Sequence, residues 1–192
     1  MTPTIEFINT NIQGWMSPVE LEWLYKTSQE MDSVVELGSW KGRSTYALLS
    51  GCKGLVYAID HWKGSSDKDS PTGILQCTGE ALVRDIHEEF MGNVGHFPNL
   101  RSYISKSAEA ATLFPESFKA DMVFIDAGHY YEEVLPDIEA WLPKTRRLIC
   151  GHDYFYPDVA RAVSEKLGTY TVAVAPNTSI WYVWLPAEVP GA

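Results

Sequence analysis

The chain has no surplus of basic residues. Fifteen Lys and Arg face 25 Asp and Glu, giving a formal charge of −10 and a pI near 4.9. Binding a nucleic-acid backbone requires a basic face, and docking on anionic lipid requires cationic anchors. Neither nucleic acid nor a membrane is therefore an expected partner, which leaves small molecules. Cysteine is scarce: Cys52, Cys77 and Cys150 are three in number, and no pair has CxxC spacing. This excludes a disulfide framework and predicts small buried thiols in a reduced, cytoplasmic protein. No apolar run approaches the roughly 20 residues of a membrane span. The first twenty residues offer neither a basic n-region nor an apolar h-region, so no secretory leader is expected. Internal repeats and low-complexity tracts are also lacking. A chain of 192 residues can bury about 70% of its unfolded surface, so residues 1–192 are expected to form one domain without staples.

Strands and helices alternate along the chain. Residues 1–30 read as an arm followed by a helix, with Ser17 as cap, Pro18 in the first turn and Glu20 closing a capping box. Short strands are predicted at 33–37, 55–59, 101–104, 121–125 and 147–150, with helices at 44–49, 78–91, 107–113 (capped by Ser107), 131–141 and 157–167. Residues 61–76 have no clear period and many turn formers, as expected of a lid loop. Two terminal strands, 170–175 and 179–185, are joined by a Pro176-Asn177-Thr178 turn. The second is apolar on both faces, which places it inside a sheet. Five βα-type units with a terminal antiparallel hairpin make an α/β fold, a mostly parallel sheet with helices on both faces. In such sheets ligands sit beyond the carboxyl ends of the strands.

The first strand runs into Glu36-Leu-Gly38-Ser-Trp40-Lys-Gly42-Arg-Ser44-Thr45. Its glycines permit a tight turn and close approach of backbone to a ligand. Asp60 ends the second strand 24 residues after Glu36, where a carboxylate commonly holds ribose hydroxyls. The GxGxxG pattern is missing, and Trp40 stands in place of the middle glycine. A bulky residue there crowds a diphosphate, so a nucleoside without phosphates is favoured over a nicotinamide dinucleotide. Trp62 follows Asp60 closely and could cover a nucleobase, or it could anchor the loop. The fourth strand ends in Asp126-Ala-Gly128-His129 and the fifth in His152-Asp153. Neighbouring parallel strands bring their ends within about 5 Å. These two acids and two imidazoles then share a crevice, which is costly unless they are paired or bind a metal. Two uses fit: a divalent cation held by Asp126 and Asp153 with His152 as a third ligand, and His129 as a base near neutral pH.

The runs Glu36-Leu-Gly38 to Gly42-Arg-Ser44-Thr45, Val123-Phe-Ile-Asp126-Ala-Gly-His129-Tyr-Tyr-Glu132 and Ile149-Cys-Gly-His152-Asp153-Tyr154 resemble the class I S-adenosylmethionine-dependent methyltransferases. The likeness is to the branch of small O-methyltransferases, similar to metal-dependent sugar and macrolide enzymes, and it covers about residues 30–185. It implies a Rossmann-like three-layer sandwich with a seven-stranded sheet of order 3-2-1-4-5-7-6. It also implies that Glu36, Gly38, Gly42, Ser44 and Thr45 line the amino-acid end of the cofactor. Asp60 would hold the ribose, Trp62 and Ser107 would flank the adenine, and Asp126 would border both cofactor and acceptor. Asp126, His152 and Asp153 match the magnesium- or manganese-binding positions, and His129, with Asp126, the catalytic ones. Two positions depart from the family pattern: Gly128 stands where the family usually has an acid, and His152 where it often has one. An imidazole shifts preference toward manganese, iron or zinc. The implied reaction is O-methylation of a small hydroxylated acceptor, such as a sugar or polyketide. The alternatives are a nucleoside-binding relic of the fold and a nicotinamide-dependent oxidoreductase. The apolar arm Ile5, Phe7, Ile8, Ile12 and Trp15 would cover the chain's own pocket or that of a partner in a homo-oligomer.

Overall fold

The architecture was obtained as a computed structural model, which describes residues 11–64 and 73–186. Helix α1 (Pro18–Ser28) leads into β1 (Ser33–Leu37), α2 (Arg43–Gly51) and β2 (Leu55–Asp60). Then come α3 (Gly73–Val83), α4 (Ile86–Val94), β3 (Leu100–Ile104) and α5 (Ser107–Ala110). The chain continues with β4 (Ala120–Ile125), α6 (Tyr131–Trp141), β5 (Thr145–Gly151), α7 (Pro157–Leu167), β6 (Ala173–Val174) and β7 (Trp181–Trp184). The sheet order is β3-β2-β1-β4-β5-β7-β6. Only the β5–β7 and β6–β7 pairings are antiparallel, so the expected seven-stranded order is the observed one.

The central strands form where the sequence can bury both faces. β4 is buried at all six positions, and β1 at four of five. One apolar layer, with Leu21, Leu24, Leu48, Val56, Phe90 and Phe124, lies against α1, α2 and α4. The other, with Val35, Ile59, Val123, Ile138, Trp141 and Val163, lies against α6 and α7. β7 does run inside the sheet, although only its first part is covered on both sides. β6 pairs with Trp181 and Tyr182 alone, and Trp184 beyond it is 51% exposed.

Four local expectations change. The helix foreseen at 78–91 is two helices, because Asp85 leaves helical geometry and accepts the Glu88 N–H as cap of α4 at 2.9 Å. α3 begins at Gly73, inside the predicted loop 61–76; residues 65–72 of that loop lie outside the described residues. The hairpin strands contract to 173–174 and 181–184. Ser107 is the first residue of α5 rather than its cap, and its hydroxyl turns to Asp137 instead, at 2.5 Å. Among the described residues no helix is long and apolar enough to cross a membrane. The three cysteines are free and buried.

Candidate functional site

A cavity of about 660 Å³ opens at the carboxyl ends of the central strands. Its wall combines the turn after β1 (Gly38, Ser39, Trp40, Lys41), the end of β2 (Asp60), the turn after β3 (Ser105 to Glu109) and the ends of β4 and β5. The Gln13–Met16 segment closes one side. Arg43 ties that segment down by donating to the carbonyls of Met16 at 2.9 Å and Ile12 at 2.8 Å. Lys41, 1% exposed, adds Gln13 at 2.7 Å and also reaches Glu80 of α3 and Glu89 of α4. A single buried ammonium thereby gathers the arm and two helices; its burial is tolerable because carboxylates compensate the charge. Of the apolar arm, Ile5, Phe7 and Ile8 lie outside the described residues. Ile12 packs on the core, and Trp15 stays 56% exposed, 6.5 Å from the Trp40 ring.

The turn after β1 is shaped by backbone geometry that few residues adopt. Gly38 has φ +88°, and a methyl group there would lie 2.1 Å from the carbonyl oxygen of Asp126. Its glycine requirement therefore comes from the close crossing of the β1 and β4 ends. Trp40 (φ 44°), Trp62 (φ 53°) and Asp153 (φ 58°) are left-handed without being glycine, an arrangement found where surrounding structure holds the backbone against strain. Asp60 supplies that hold for two of them. One carboxylate oxygen accepts the Trp40 N–H at 2.8 Å and the other the Trp62 N–H at 2.6 Å. A carboxylate has about four acceptor sites, so Asp60 keeps capacity for hydroxyl donors in the cavity. The Trp62 ring turns into the protein, against His87 and Phe90 at 4.4 and 5.0 Å, and donates to the Trp40 carbonyl at 2.7 Å. The Trp62 ring thus packs against α4 and is not among the residues that line the cavity.

The remaining residues expected around a cofactor divide in two. Gly38, Ser44, Asp60, Ser107 and Asp126 line the cavity; Glu36, Gly42 and Thr45 stand behind its wall. Glu36 is fully buried and accepts from Ser39 Oγ at 2.6 Å and from Thr45. Burial lifts its carboxyl to about 7, with Asp126 adding to the rise. Its contact with the turn is through hydroxyls, so it shapes the loop from beneath. Gly42 caps α2 at φ 91° and faces Val94 and Phe90. Asp137, not foreseen from the sequence, also lines the cavity, and burial raises it to about 7 against its bond to Ser107.

At the β4 and β5 ends, two acids and two imidazoles do converge. Asp153 Oδ2 lies 2.8 Å from His129 Nε2 and 3.1 Å from His152 Nδ1. His152 Nδ1 is 3.5 Å from Asp126 Oδ1, and its Nε2 is 3.0 Å from Glu20 Oε1. His129 stacks on Tyr156, centroids 5.2 Å apart and planes 11° from parallel. Burial disfavours charge on His152, but Asp126, Asp153 and Glu20 outweigh it and raise the imidazole to about 12. Burial raises Asp126. For Asp153 burial is overcome by the two imidazoles, which hold it below the usual carboxylate range. One ligand atom each from Asp126, His152 and Asp153 lies within 4.8 Å of the others. Two carboxylates and an imidazole whose far nitrogen meets a third carboxylate make a donor set that fits a divalent cation. Nδ1 can carry a proton or coordinate a cation, not both. Glu133 packs against Gly128, its Oε2 2.3 Å from where a Cβ would stand. Glu133 of α6 thus brings an acid to the cavity wall beside Gly128.

The chain matches the family model described as a methyltransferase domain over residues 35–154. No curated protein matches it. Among solved structures, the O-methyltransferase NovP superposes with a TM-score of 0.59 at 17% identity, over 88% of this chain and 79% of that one. An O-methyltransferase from Bacillus cereus, in complex with SAH, gives 0.57 at 15% identity, over 91% and 85%. The SAH-bound methyltransferase PaMTH1 of Podospora anserina gives 0.60 at 12% identity, over 95% and 86%. At these identities the likeness is one of fold.

Proposed function

Because the chain belongs to the methyltransferase domain family, we propose that it moves the methyl group of S-adenosylmethionine to a hydroxyl oxygen of a small acceptor, such as a sugar or polyketide. The observation that carries this reading is the convergence of Asp126, His129, His152 and Asp153 on a cavity whose opposite wall presents Asp60 and Ser107. Asp60 bonds the ribose hydroxyls, Ser107 borders the adenine, and the Gly38–Ser44 turn receives the amino-acid end. Glu36 and Thr45 brace that turn from behind, and Gly42 lets α2 start there. The family match favours this reading over a nicotinamide dinucleotide.

Methyl transfer is an in-line displacement, so alignment of acceptor, carbon and sulfur is most of the task. The acceptor oxygen forms a bond to the methyl carbon, the carbon–sulfur bond breaks, and its electron pair stays on sulfur. The hydroxyl proton must leave as the bond forms. His129 takes it: an Nε2–H donated to Asp153 leaves Nδ1 as the acceptor. Asp153 thus fixes the ring and stabilises the imidazolium. Asp126, His152 and Asp153 would hold magnesium or manganese, which when bound lowers the pKa of a coordinated hydroxyl. Tyr156, stacked on His129, and the Trp15–Trp40 pair offer flat apolar surface beside the reacting groups.

Calorimetric titration with S-adenosylhomocysteine tests the cofactor, and absence of binding at millimolar ligand overturns the reading. Asp153→Ala is expected to abolish turnover and leave cofactor affinity within a few-fold. Loss of cofactor binding in that variant would instead give Asp153 a purely structural part.

A further inference from the structure

Glu20 is the third residue of α1, and the sequence accounts for it as half of a capping box. Its Oε2 does that work, accepting from the Ser17 N–H and hydroxyl at 2.8 Å each. A capping glutamate ordinarily ends there, in solvent. This one is 6% exposed, and its second oxygen points into the protein. Oε1 lies 3.0 Å from His152 Nε2 and accepts from the Ser179 N–H at 3.0 Å and its hydroxyl at 3.2 Å. One carboxylate thus joins three stretches of chain, with His152 132 residues away and Ser179 159.

We propose that Glu20 is a positioning residue of the site: by holding the Nε2–H of His152 it turns the Nδ1 edge into the space between Asp126 and Asp153. This rests on the cation reading above and adds a residue that reading did not contain. An imidazole has two nitrogens, and the hydrogen bond made by one decides what the other offers. With Nε2 committed to Glu20, Nδ1 faces Asp153 Oδ2 at 3.1 Å and Asp126 Oδ1 at 3.5 Å. A carboxylate behind the ring also makes it a stronger donor. The set then suits manganese better than magnesium, which prefers oxygen and its own water.

The test is manganese titration of the metal-stripped chain, followed calorimetrically, for wild type, Glu20→Ala and Glu20→Gln. Losing a carboxylate behind a ligating histidine weakens metal binding by about 10–100-fold, and that loss is expected for Glu20→Ala. Glu20→Gln keeps an acceptor oxygen toward Nε2 and should recover affinity to within a few-fold. S-adenosylhomocysteine affinity should be the same in all three. A Glu20→Ala protein that binds manganese as wild type does would overturn the proposal. A second readout needs no metal: the ring N–H on His152 Nε2, followed by NMR, should be protected from exchange in wild type and Glu20→Gln and lost in Glu20→Ala. If wild type binds no manganese while that proton follows the series, the cation reading falls and the hold of Glu20 on His152 stands. If the Nε2 proton of wild type is itself unprotected, the positioning role fails, whether or not Glu20→Ala folds.

Discussion

Single residues at the strand ends are constrained by close approaches that composition does not reveal. Gly38 is required twice over: by its positive φ and by the carbonyl of Asp126, 2.1 Å from any added methyl. Gly38→Ala is expected to destabilise the fold by about 3 kcal/mol, in the range of backbone-incompatible substitutions. Thermal unfolding checks this, and a melting temperature unchanged within a degree would show that β1 and β4 can part without cost. The same scale explains why Trp62 was legible only as one of two possibilities. Its spacing from Asp60 is the same whether the ring covers a ligand or anchors a loop. The seat that the ring occupies, made by His87 and Phe90, belongs to a helix that starts 24 residues further on.

Helices meet the site through their ends and, in α6, along a face that carries Glu133, Pro136 and Asp137. α1 begins with a complete capping box, a local pattern that the sequence displays in full. Ser17→Ala removes the cap acceptor and is expected to cost about 1 kcal/mol, or roughly 2–4 °C in melting temperature for a chain of this size. A thermal melt of that variant measures it, and a loss of 10 °C would mean that the cap supports far more than α1. α3 and α4 show the opposite case. Their apolar spacing carries through the break, so periodicity reads one helix; the stop is set by Asp85, which competes for the α4 N–H groups as a cap. Both helices then direct a glutamate at Lys41.

Across the molecule, buried acids set opposing slopes of stability against pH. Glu36 and Asp137 both titrate near 7 in the fold, above their ordinary 4.5 and 3.8. Between those limits the native state binds more protons than the unfolded one, so stability falls as pH rises. Their contribution is fully present below about pH 4 and is lost as pH passes 7. Glu20, lowered to about 2, acts in the other sense: its contribution is present above 4.5 and is lost as pH falls toward 2. Glu36→Gln together with Asp137→Asn should flatten the decline in melting temperature between pH 5 and pH 8. Equal slopes in variant and wild type would place both carboxyls at ordinary values. The net charge of −10 gains meaning here too. Glu20, Glu36, Asp60, Asp126, Asp137 and Asp153 are acids at or beside one cavity, which suits a positively charged sulfonium cofactor.

The amino-acid sequence alone determined the alternation of strands and helices, the place of the last strand inside the sheet, and the strand ends as the place of the cavity. These follow from local periodicity and from a rule of parallel sheets that needs no coordinates. Only the tertiary structure decided that Glu20 reaches His152, that Glu133 packs on Gly128, and that Asp137 meets Ser107. The first joins a helix to a strand end 132 residues away, the second a helix to the turn that leads into it, and the third two helices. The direction of such a side chain is set by how the helix packs on the sheet, and no spacing along the chain encodes it.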